Sequence, residues 1–395
     1  MNYILFDDHS WEQLLPLTFT RPVSEIRVGI LTIREKWEKL LGGKTSTLSQ
    51  DYLAAKFPLI LETDNLLVNA SLLPSPEIIE QLLQLKPNDA LIKGERILAA
   101  RIDNTKTMEF KDGTLTGLKT LEISGTCAFI DYPWHIFQVN GEEIQKDFTL
   151  ITSGRKSFPL SNTMNLINPA NIFAEEGFKG EFATINASTG PVYLGKDSEI
   201  MEGSVIRGPF ALCEHSTLKL STKVYGPTTI GPNSKAGGEI NNSVIFGNSN
   251  KGHDGFLGNS VLGEWCNIGA DSNNSNLKNN YAIVKLWSYK EERFINTGLQ
   301  FCGLIMGDHS KCGINTMFNT GTAVGVNANI FGSGFPRNFI PSFSWGGAQG
   351  LTTFTVPKAF EVAEKVMERR NMILDEIEKS ILLEIFNRTE KYRRW

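Results

Sequence analysis

An apolar residue recurs at every sixth position over much of the second half of the chain, and this period constrains the fold more than any other feature. Eight consecutive positions spaced by six residues are all apolar: Leu194, Ile200, Ile206, Leu212, Leu218, Val224, Ile230 and Ala236. The period returns at seven later positions: Leu262, Ile268, Met306, Cys312, Phe318, Val324 and Ile330. A glycine directly follows many of these apolar residues.

A repeat of six residues is long enough for one short strand and one tight turn. Three such repeats close a triangular coil of a parallel β-helix, in which each apolar side chain points inward and stacks on that of the next coil. Glycine and asparagine suit the turns because they adopt backbone angles that other residues avoid. The alternative is an irregular linker, but a linker does not keep an aliphatic residue at every sixth place. We therefore predict a β-helix over residues 161–350.

The period is interrupted at two places. Between Ala236 and Val244 it slips by two residues, and between Asn274 and Met306 the sequence alternates as in a hairpin or a protruding loop. Loops that leave a regular solenoid often carry function. We therefore expect functional residues near these interruptions.

The regions before and after the repeats have a different texture. In residues 1–160 strand-like and helical stretches alternate, which predicts an α/β domain with a parallel sheet and helices on its faces. The strand-like runs are Tyr3–Phe6, Leu59–Glu62, Asn65–Ala70, Ala90–Lys93 and Ile97–Ile102, and the helical stretches are Ile30–Leu41 and Pro76–Leu85. In residues 351–395 apolar residues fall at helical spacing from Pro357 onwards, which predicts a tail of one or two amphipathic helices.

The composition excludes several classes of protein. The chain has 395 residues and a net charge of −4, from 39 basic and 43 acidic residues, which argues against a general nucleic-acid binder. Its five cysteines form no CxxC pair, a pattern typical of reduced thiols in a cytosolic protein and unfavourable for a zinc site. No signal peptide is evident, and no window reaches the roughly 18 apolar residues of a membrane span. We therefore expect a cytoplasmic protein with no nucleic-acid or membrane partner.

One stretch inside the repeats, "KGHDGFLGNSVLGEWCNIGADSNNSNLK" from Lys251 to Lys278, carries a family resemblance. It resembles the acetyltransferase centre of the bifunctional sugar-1-phosphate nucleotidyltransferase/acetyltransferases, which are similar to N-acetylglucosamine-1-phosphate uridyltransferase. That family places a left-handed β-helix behind a Rossmann-like α/β domain. The resemblance implies acetyl-CoA as a co-substrate and a homotrimer with its sites between subunits.

The resemblance also implies roles for residues of this stretch. His253 is the expected catalytic base, and Asn267 and Asn276 are expected to bind substrate, with Lys251 and Phe256 beside them. Acyl transfer from a thioester to an amine needs a proton removed from the attacking ammonium, and histidine titrates near neutral pH. Backbone N–H groups in glycine-rich turns suit the developing oxyanion. The ordinary interpretation of a lone histidine, a surface or satisfied residue, is kept for the other four histidines.

The stretch departs from the family at two positions. Phe256 stands where the family often has a tyrosine whose hydroxyl holds substrate, and Asn241 stands where a basic residue binds the sugar phosphate. The acceptor therefore stays open between an amino-sugar phosphate and a nucleotide sugar.

A second stretch, "LFDDHSWEQLLPLTFTRP" from Leu5 to Pro22, resembles the first phosphate loop of the same family. The family loop reads Gly-Gly-x-Gly-Thr-Arg-Leu-x-Pro-Leu-Thr, then three residues, then Pro-Lys, and its backbone N–H groups cradle phosphates. The matching residues are Leu14, Pro16, Leu17, Thr18 and Pro22. The replaced ones are the three glycines, by Asp8, His9 and Trp11, the Thr-Arg pair, by Glu12 and Gln13, and the final lysine, by Val23.

The nucleotidyltransferase metal site is altered as well. The family ends a strand with Asn-Gly-Asp, whose aspartate binds Mg²⁺, whereas this chain reads Asn69-Ala70-Ser71. We therefore predict no metal site, and Mg²⁺ is expected only if the nucleotidyltransferase activity exists. Arg21 and Arg27 are the candidate nucleotide-binding residues, and the alternative is that they are ordinary surface arginines.

Three hypotheses follow for the function. The first is an acetyl-CoA-dependent N-acetyltransferase that acts on an amino-sugar phosphate or a nucleotide sugar. The second is a sugar-1-phosphate nucleotidyltransferase with non-standard loop residues, and the third is a non-catalytic binding or scaffold protein. The altered first loop disfavours the second hypothesis, and the His253 region favours the first hypothesis over the third.

Overall fold

The computed structural model describes residues 1–110 and 116–395. The contacts divide the chain into two compact units. The first unit comprises Met1–Ile26 and Leu31–His135, and the second comprises Arg27–Ile30 and Ile136–Trp395. Among the described residues no helix is both long and apolar enough to cross a membrane.

The first unit is built on a six-stranded sheet with the spatial order β2-β1-β3-β5-β4-β6. Its strands are β1 (Asn2–Phe6), β2 (Thr45–Leu48), β3 (Asn65–Asn69), β4 (Asp89–Lys93), β5 (Arg96–Ile102) and β6 (Lys119–Glu122). Its helices are α1 (Ser10–Gln13), α2 (Ile33–Leu41), α3 (Pro76–Leu83) and α4 (Asn104–Glu109). The next helix, α5 (Pro133–Thr152), begins in the first unit and ends in the second.

Most predicted elements of this unit are confirmed. Helix α3 begins as predicted, because the Ser75 side chain accepts a hydrogen bond from the Ile78 backbone and Pro76 opens the first turn. The strand predicted at Leu59–Glu62 is absent. The chain there is extended but does not form a regular ladder with β2. Pro58 accepts a hydrogen bond from the Thr47 N–H, but it has no N–H to donate in return.

The prediction of a parallel sheet is wrong. Strand β1 is parallel to β2 and β3, and β4 is parallel to β6, but β5 runs antiparallel to both of its neighbours. The reason is local: β4 and β5 form a hairpin, whose tight turn contains Gly94 with φ of +60°. The sheet is therefore mixed.

The second unit is a β-helix with three parallel faces. The first face contains β7 (Asn165–Ile167), β10 (Thr184–Asn186), β13 (Val205–Arg207), β16 (Lys223–Tyr225), β19 (Glu239–Asn241) and β22 (Phe256–Gly258). The second face contains β8 (Ile172–Ala174), β11 (Val192–Leu194), β14 (Phe210–Leu212), β17 (Thr228–Ile230), β20 (Val244–Ile245), β23 (Val261–Leu262), β28 (Leu304–Met306), β31 (Thr322–Val324) and β33 (Phe339–Ile340). The third face contains β9 (Lys179–Gly180), β12 (Glu199–Ile200), β15 (Thr217–Leu218), β18 (Lys235–Ala236), β21 (Asn250–Lys251), β24 (Asn267–Ile268), β29 (Lys311–Cys312), β32 (Asn329–Ile330) and β34 (Ser344–Gly347), with β35 (Gly350–Thr353) added antiparallel.

The period of six residues is the inward-facing column of this solenoid, as predicted. All the residues of that period are buried in one continuous core. The slip after Ala236 is also present, because the next inward residues are Ile240 and Ile245. The coil is short there because its corner contains Gly238, with φ of +75°, where a Cβ atom would lie 2.8 Å from the Gly255 carbonyl oxygen. The β-helix is therefore confirmed, and its left hand stays a prediction.

The remaining elements lie at the second interruption and in the tail. Strand β25 (Asn273–Asn274) pairs with β30 (Met317–Phe318), and β26 (Lys285–Ser288) forms an antiparallel hairpin with β27 (Arg293–Asn296), as expected for a protruding loop. Helices α6 (Val356–Glu368) and α7 (Glu376–Arg388) confirm the amphipathic tail. Tyr392, after α7, packs edge-on against Trp287 of the hairpin.

Candidate active site

His253 lies on an exposed corner of the solenoid. The corner joins β21 on the third face to β22 on the first face, and it lies one coil after the slip in the period. Gly255 has φ of +111°, and a Cβ atom there would lie 2.1 Å from the Ser272 carbonyl oxygen, so the corner requires glycine. Within residues 1–110 and 116–395, the His253 imidazole has no hydrogen bond or ion pair. Its side chain is thus open to a ligand.

Lys251 supports this corner from inside the coil. Only 1% of the residue is exposed, and it occupies an inward position where other coils carry aliphatic residues. Its Nζ donates hydrogen bonds to the carbonyl oxygens of Gly237 at 3.0 Å, His253 at 2.5 Å and Asp254 at 3.3 Å. Burial lowers the pKa of Lys251 to about 8, although the carboxylate of Asp254 opposes this effect. The structure therefore places Lys251 beneath the corner rather than on its outer surface.

Phe256 and Asn276 meet on the first face directly after the corner. Both approach Gly258, where a Cβ atom would lie 2.5 Å from the Phe256 ring and 2.7 Å from the Asn276 amide nitrogen. The Asn276 amide also donates to Asn259 Oδ1 at 2.8 Å. Two of the predicted substrate-binding residues are thus brought together over a glycine, next to the His253 corner.

Asparagine side chains of the next coil form hydrogen bonds with the backbone of β22, in place of bonds from the backbone of a neighbouring strand. Asn273 Oδ1 accepts a hydrogen bond from the Phe256 backbone N–H at 2.8 Å. The buried amide of Asn274 binds both backbone groups of Gly258, at 2.9 Å and 3.0 Å. The sequence contains a signal for this amide that the family motif does not include, because Asn274 stands six residues after Ile268, where the period calls for an apolar residue.

Asn267 is not part of this group. It lies on the outer surface of the third face, where its strand neighbours are Asn250 and Lys311. The structure therefore separates the predicted substrate-binding residues into two sets on two faces. Phe256 and Asn276 follow the His253 corner, whereas Asn267 lies on the face that precedes it.

In the first unit, the altered loop is closed by a carboxylate. Asp8 Oδ1 accepts a hydrogen bond from the Ser10 backbone N–H at 2.9 Å, and Oδ2 accepts one from the Asn69 amide at 2.9 Å and one from Arg96 Nε at 2.8 Å. Burial raises the pKa of Asp8, but the Arg96 guanidinium and these hydrogen bonds outweigh it and leave the pKa below its usual value. A negative charge thus occupies the place where the family cradles phosphates.

Arg96 connects this carboxylate to the altered metal position. Its guanidinium donates to Ser71 Oγ at 2.7 Å and to both carboxylate oxygens of Asp131, at 2.8 Å and 3.2 Å. Ser71 stands where the resemblance places the metal-binding aspartate. A guanidinium and a hydroxyl do not fit Mg²⁺, which prefers carboxylates. Nor do the described parts of the chain contain a group of three or more His, Cys, Asp or Glu side chains able to share a metal ion.

The two candidate nucleotide-binding arginines belong to different units. Arg21 is 5% exposed in the first unit and donates to Thr20 Oγ1 at 3.4 Å. Arg27 belongs to the second unit, where it donates to the Ile30 carbonyl and lies 3.9 Å from Cys213 Sγ. Both guanidiniums have partners within their own unit, and their binding of a nucleotide stays a prediction.

Comparison with known proteins assigns the first part of the chain. Residues 3–156 match the family model described as "Sugar nucleotidyl transferase". This part of the chain is similar to sugar nucleotidyl transferases, and the loop that contains Asp8 lies within the matched residues. The match agrees with the loop residues that remain in register.

The chain is also similar to curated bifunctional proteins. It is 26% identical over 253 residues to "Bifunctional protein GlmU" of Methanocaldococcus jannaschii, which covers 62% of this chain and 55% of the relative. It is 29% identical over 216 residues to a "Bifunctional sugar-1-phosphate nucleotidylyltransferase/acetyltransferase" of Sulfurisphaera tokodaii, which covers 54% and 47% respectively. The chain thus spans about half the length of the curated relatives it matches. The resemblance found in the motifs is confirmed.

Solved structures include a UDP-N-acetylglucosamine acyltransferase from Campylobacter jejuni. It is 12% identical, covers 57% of this chain and 95% of that one, and superposes with a TM-score of 0.29. The β-helix assignment does not depend on this comparison, because the strand ladders of the chain itself establish it.

The first unit contains a cavity beside the altered loop. The cavity has a volume of about 610 Å³ and is lined by Asp7, by the end of β2 and the following residues through Asp51, and by Phe110. Burial raises the pKa of Asp7 to about 7, although hydrogen bonds from Ser49 and the Val23 backbone oppose this effect. The unit therefore retains space for a small molecule even though its phosphate-binding groups are replaced.

Proposed function

We propose that the chain is a cytoplasmic transferase of sugar-nucleotide metabolism that moves an acetyl group from acetyl-CoA to the amine of an amino-sugar phosphate or a nucleotide sugar. The reaction takes place at the corner of the solenoid, with His253 as the general base. One observation carries the proposal: the His253 imidazole is open to a ligand while the backbone of its corner is held from inside by Lys251.

The chemistry balances with the groups at this corner. The amine nitrogen of the acceptor forms a bond to the thioester carbon, and the bond from that carbon to the coenzyme sulfur breaks. The neutral amine attacks, its nitrogen becomes cationic as the new bond forms, and His253 removes that proton and transfers it to the leaving thiolate. Backbone N–H groups of the Gly-rich turns stabilise the oxyanion that forms on the way.

The surrounding residues have supporting roles in this proposal. Phe256 and Asn276 contact the acceptor sugar, because they lie together on the face that follows the corner. A homotrimer is proposed from the family resemblance. The edge of the solenoid that carries His253 also exposes Leu220 and Ile314, which are 62% and 69% exposed, and these apolar side chains are suited to contact with another subunit.

Nucleotidyl transfer is the second candidate function. The family match of residues 3–156 favours it, whereas the ion pair between Asp8 and Arg96 opposes it. A triphosphate placed against Asp8 would be repelled unless the carboxylate were displaced. We therefore assign the first unit to binding through its cavity rather than to nucleotidyl transfer.

The test measures thiol release from acetyl-CoA in the presence of a panel of amino-sugar phosphates and amino-sugar nucleotides. Loss of a general base typically lowers the rate by about 10² to 10⁴-fold, and His253→Ala should show a loss in this range. The matched control is His9→Ala, which removes an exposed histidine of the first unit and should leave the rate unchanged. Absence of thiol release with every acceptor, or an unchanged rate in His253→Ala, would contradict the proposal.

A further inference from the structure

A ladder of polar side chains runs along the outer surface of the third face. Lys235, Asn250, Asn267 and Lys311 occupy equivalent outward positions on four adjacent strands, as their pairing shows. Neighbouring strands lie about 4.8 Å apart, so the two lysines are separated by about 14 Å with two amides between them. This ladder is long enough to span several phosphate and sugar groups.

A tryptophan stands beside the ladder in a left-handed conformation. Trp265 has φ of +61°, at a corner position where the two preceding coils carry Asn233 and Asn248. The solenoid imposes this left-handed region on the same corner of other coils, where His215, His309 and Phe343 also adopt it. The Trp265 ring stacks on His309 with their centroids 6.1 Å apart. An aromatic wall thus stands next to the polar ladder.

The end of helix α6 closes this region into a cavity. Val362, Val366 and the two arginines that follow the helix line it, and its volume is about 620 Å³. The Arg370 guanidinium lies 5.7 Å from the centre of the Trp265 ring and donates to Asn250 Oδ1 at 3.0 Å. The cavity therefore has a polar floor, an aromatic wall and an arginine positioned over both.

The charge of the cavity has a single sign. Its lining contains no carboxylate, and its basic residues are His215, Lys235, Lys311, Arg369 and Arg370. Helix α6 carries three carboxylates: Glu364 pairs with Lys379, Glu368 pairs with Lys365, and Glu361 does not line the cavity. One carboxylate lies near the lining, because Asp197 is 3.8 Å from His215. The cavity is therefore cationic.

Several polar groups of the cavity remain available to a ligand. Lys235 and Arg369 are exposed, and neither side chain has a hydrogen bond or ion pair with any described residue. Asn248 Oδ1 is buried and has no partner in the described part of the chain. Lys311 donates to the His309 carbonyl at 2.8 Å, and burial lowers its pKa to about 8.

We propose that this cavity, formed by the third face and the end of helix α6, binds a ligand that carries a diphosphate group. The two lysines and two arginines neutralise the phosphates, the asparagine amides donate hydrogen bonds, and Trp265 contacts an apolar or aromatic part of the ligand. The diphosphate belongs either to a coenzyme A molecule or to a nucleotide sugar. Strand β21 leads directly from Asn250 to the His253 corner, so the ligand lies next to the proposed reaction. The choice of coenzyme A rests on the proposed function, whereas binding of a diphosphate does not.

The test is isothermal titration calorimetry of the full chain with inorganic pyrophosphate, coenzyme A and UDP as separate probes. The double variant Lys235→Gln/Arg369→Gln removes two cations that have no partner among the described residues, and it should weaken binding at least about 10-fold. The matched control is Lys365→Gln, which removes a cation of the same helix that is paired with Glu368, and it should change the affinity less than about 2-fold. Binding should also weaken as the salt concentration rises, because the contact is ionic.

The outcomes separate this proposal from the proposed function. Tighter binding of coenzyme A than of UDP identifies the coenzyme as the ligand, and the reverse order identifies a nucleotide sugar; either order supports the site if the double variant weakens it. Absence of saturable binding with all three probes, or an equal effect of the control, overturns the site even if thiol release is observed. Absence of thiol release with binding intact overturns the proposed function and leaves the site standing.

Discussion

The Asp8 loop of the first unit and the His253 corner of the solenoid both contain a charged side chain, but that side chain has opposite effects on the site. In the first unit, Asp8 and Arg96 neutralise one another at the place where related proteins cradle phosphates. At the solenoid corner, Lys251 donates to backbone carbonyls from inside the coil and leaves the imidazole of His253 open. In the first arrangement the charged side chains bind each other, whereas in the second the charged side chain binds the backbone and the imidazole stays exposed.

The difference shows why family membership alone does not locate the chemistry. Charged groups whose hydrogen bonds are satisfied by the protein must lose those bonds before they bind a substrate, and breaking a buried pair is costly. The loop of the first unit keeps residues of the family motif in register, but the glycines and cations of that motif are replaced. At the solenoid corner, the backbone held by Lys251 and the exposed imidazole of His253 lie in the same place.

The largest expected effect comes from removing Arg96. Arg96→Met leaves the buried carboxylate of Asp8 and that of Asp131 without their cation, which should destabilise the first unit by about 4 kcal/mol. Hydrogen exchange of the β1 and β3 amides measures this loss within the unit. The matched control is Arg101→Met, which removes a partly exposed pair with Asp64 and a hydrogen bond to the Leu85 carbonyl and should cost about 1 to 2 kcal/mol.

A double variant sharpens this interpretation. Asp8→Asn combined with Arg96→Met removes both charges of the pair, so it should recover a substantial part of the stability lost in Arg96→Met alone. If the double variant is as unstable as the single one, then Arg96 stabilises the unit through packing rather than through its charge. The comparison of the two loops would then lose its electrostatic basis.

The next effect is a dependence of stability on pH that originates from Asp7. Burial raises the pKa of Asp7 to about 7, so between about pH 4 and pH 7 the folded unit holds a proton that the unfolded chain has released. The contribution of this group is therefore complete near pH 4 and is lost as the pH rises through 7. The loss should be on the order of 3 kcal/mol.

The variant Asp7→Asn tests this dependence. It should flatten the stability of the first unit between pH 4.5 and pH 8, as measured by hydrogen exchange of β1 corrected for the intrinsic rate. Asp8 does not interfere, because its lowered pKa keeps it ionised in the folded unit and in the unfolded chain throughout this window. An unchanged slope in Asp7→Asn would show that this carboxyl is already ionised in the folded unit at pH 5.

At the solenoid corner, Lys251→Met should lower the turnover number for thiol release by about 10-fold. Methionine fills a similar volume but removes three hydrogen bonds, so the carbonyl of His253 is no longer fixed and the imidazole loses its orientation. The matched control is Ile268→Met, an inward residue of the neighbouring coil that should have little effect. Equal losses in the two variants would show that any change inside the coil disturbs the reaction.

The smallest expected effect is that of Asn276→Ala. We expect the KM for the acceptor to rise by about 3-fold with the turnover number nearly unchanged, because Asn276 contacts the sugar and not the reacting atoms in our proposal. Asn279→Ala, which alters an exposed amide of the same loop, serves as the control. A fall in turnover without a change in KM would instead place Asn276 at the reacting centre.

Much of the solenoid could be predicted from the sequence because its core repeats along the chain. Each coil presents one inward residue per face, so the period of six residues directly reports burial. The same regularity identifies Lys251 and Asn274 as inward polar residues, once the period is continued past the slip that follows Ala236. A polar residue in an apolar column indicates a local structural task.

The first unit was harder to predict because its key contacts are distant in sequence. Asp8 and Arg96 are 88 positions apart, and nothing in either local sequence indicates their pairing. The mixed direction of the sheet depended on one tight turn at Gly94. The conformation of Trp265 could not be predicted either, because the coil fixes its backbone and the side chain only tolerates it.

The most direct test of the central claim compares two reactions of the same purified protein. Thiol release from acetyl-CoA with an amino-sugar acceptor is measured beside pyrophosphate release from a nucleoside triphosphate with a sugar 1-phosphate and Mg²⁺. We expect thiol release that is lost in His253→Ala, and no pyrophosphate release. Pyrophosphate release from the wild-type protein together with no thiol release would contradict it.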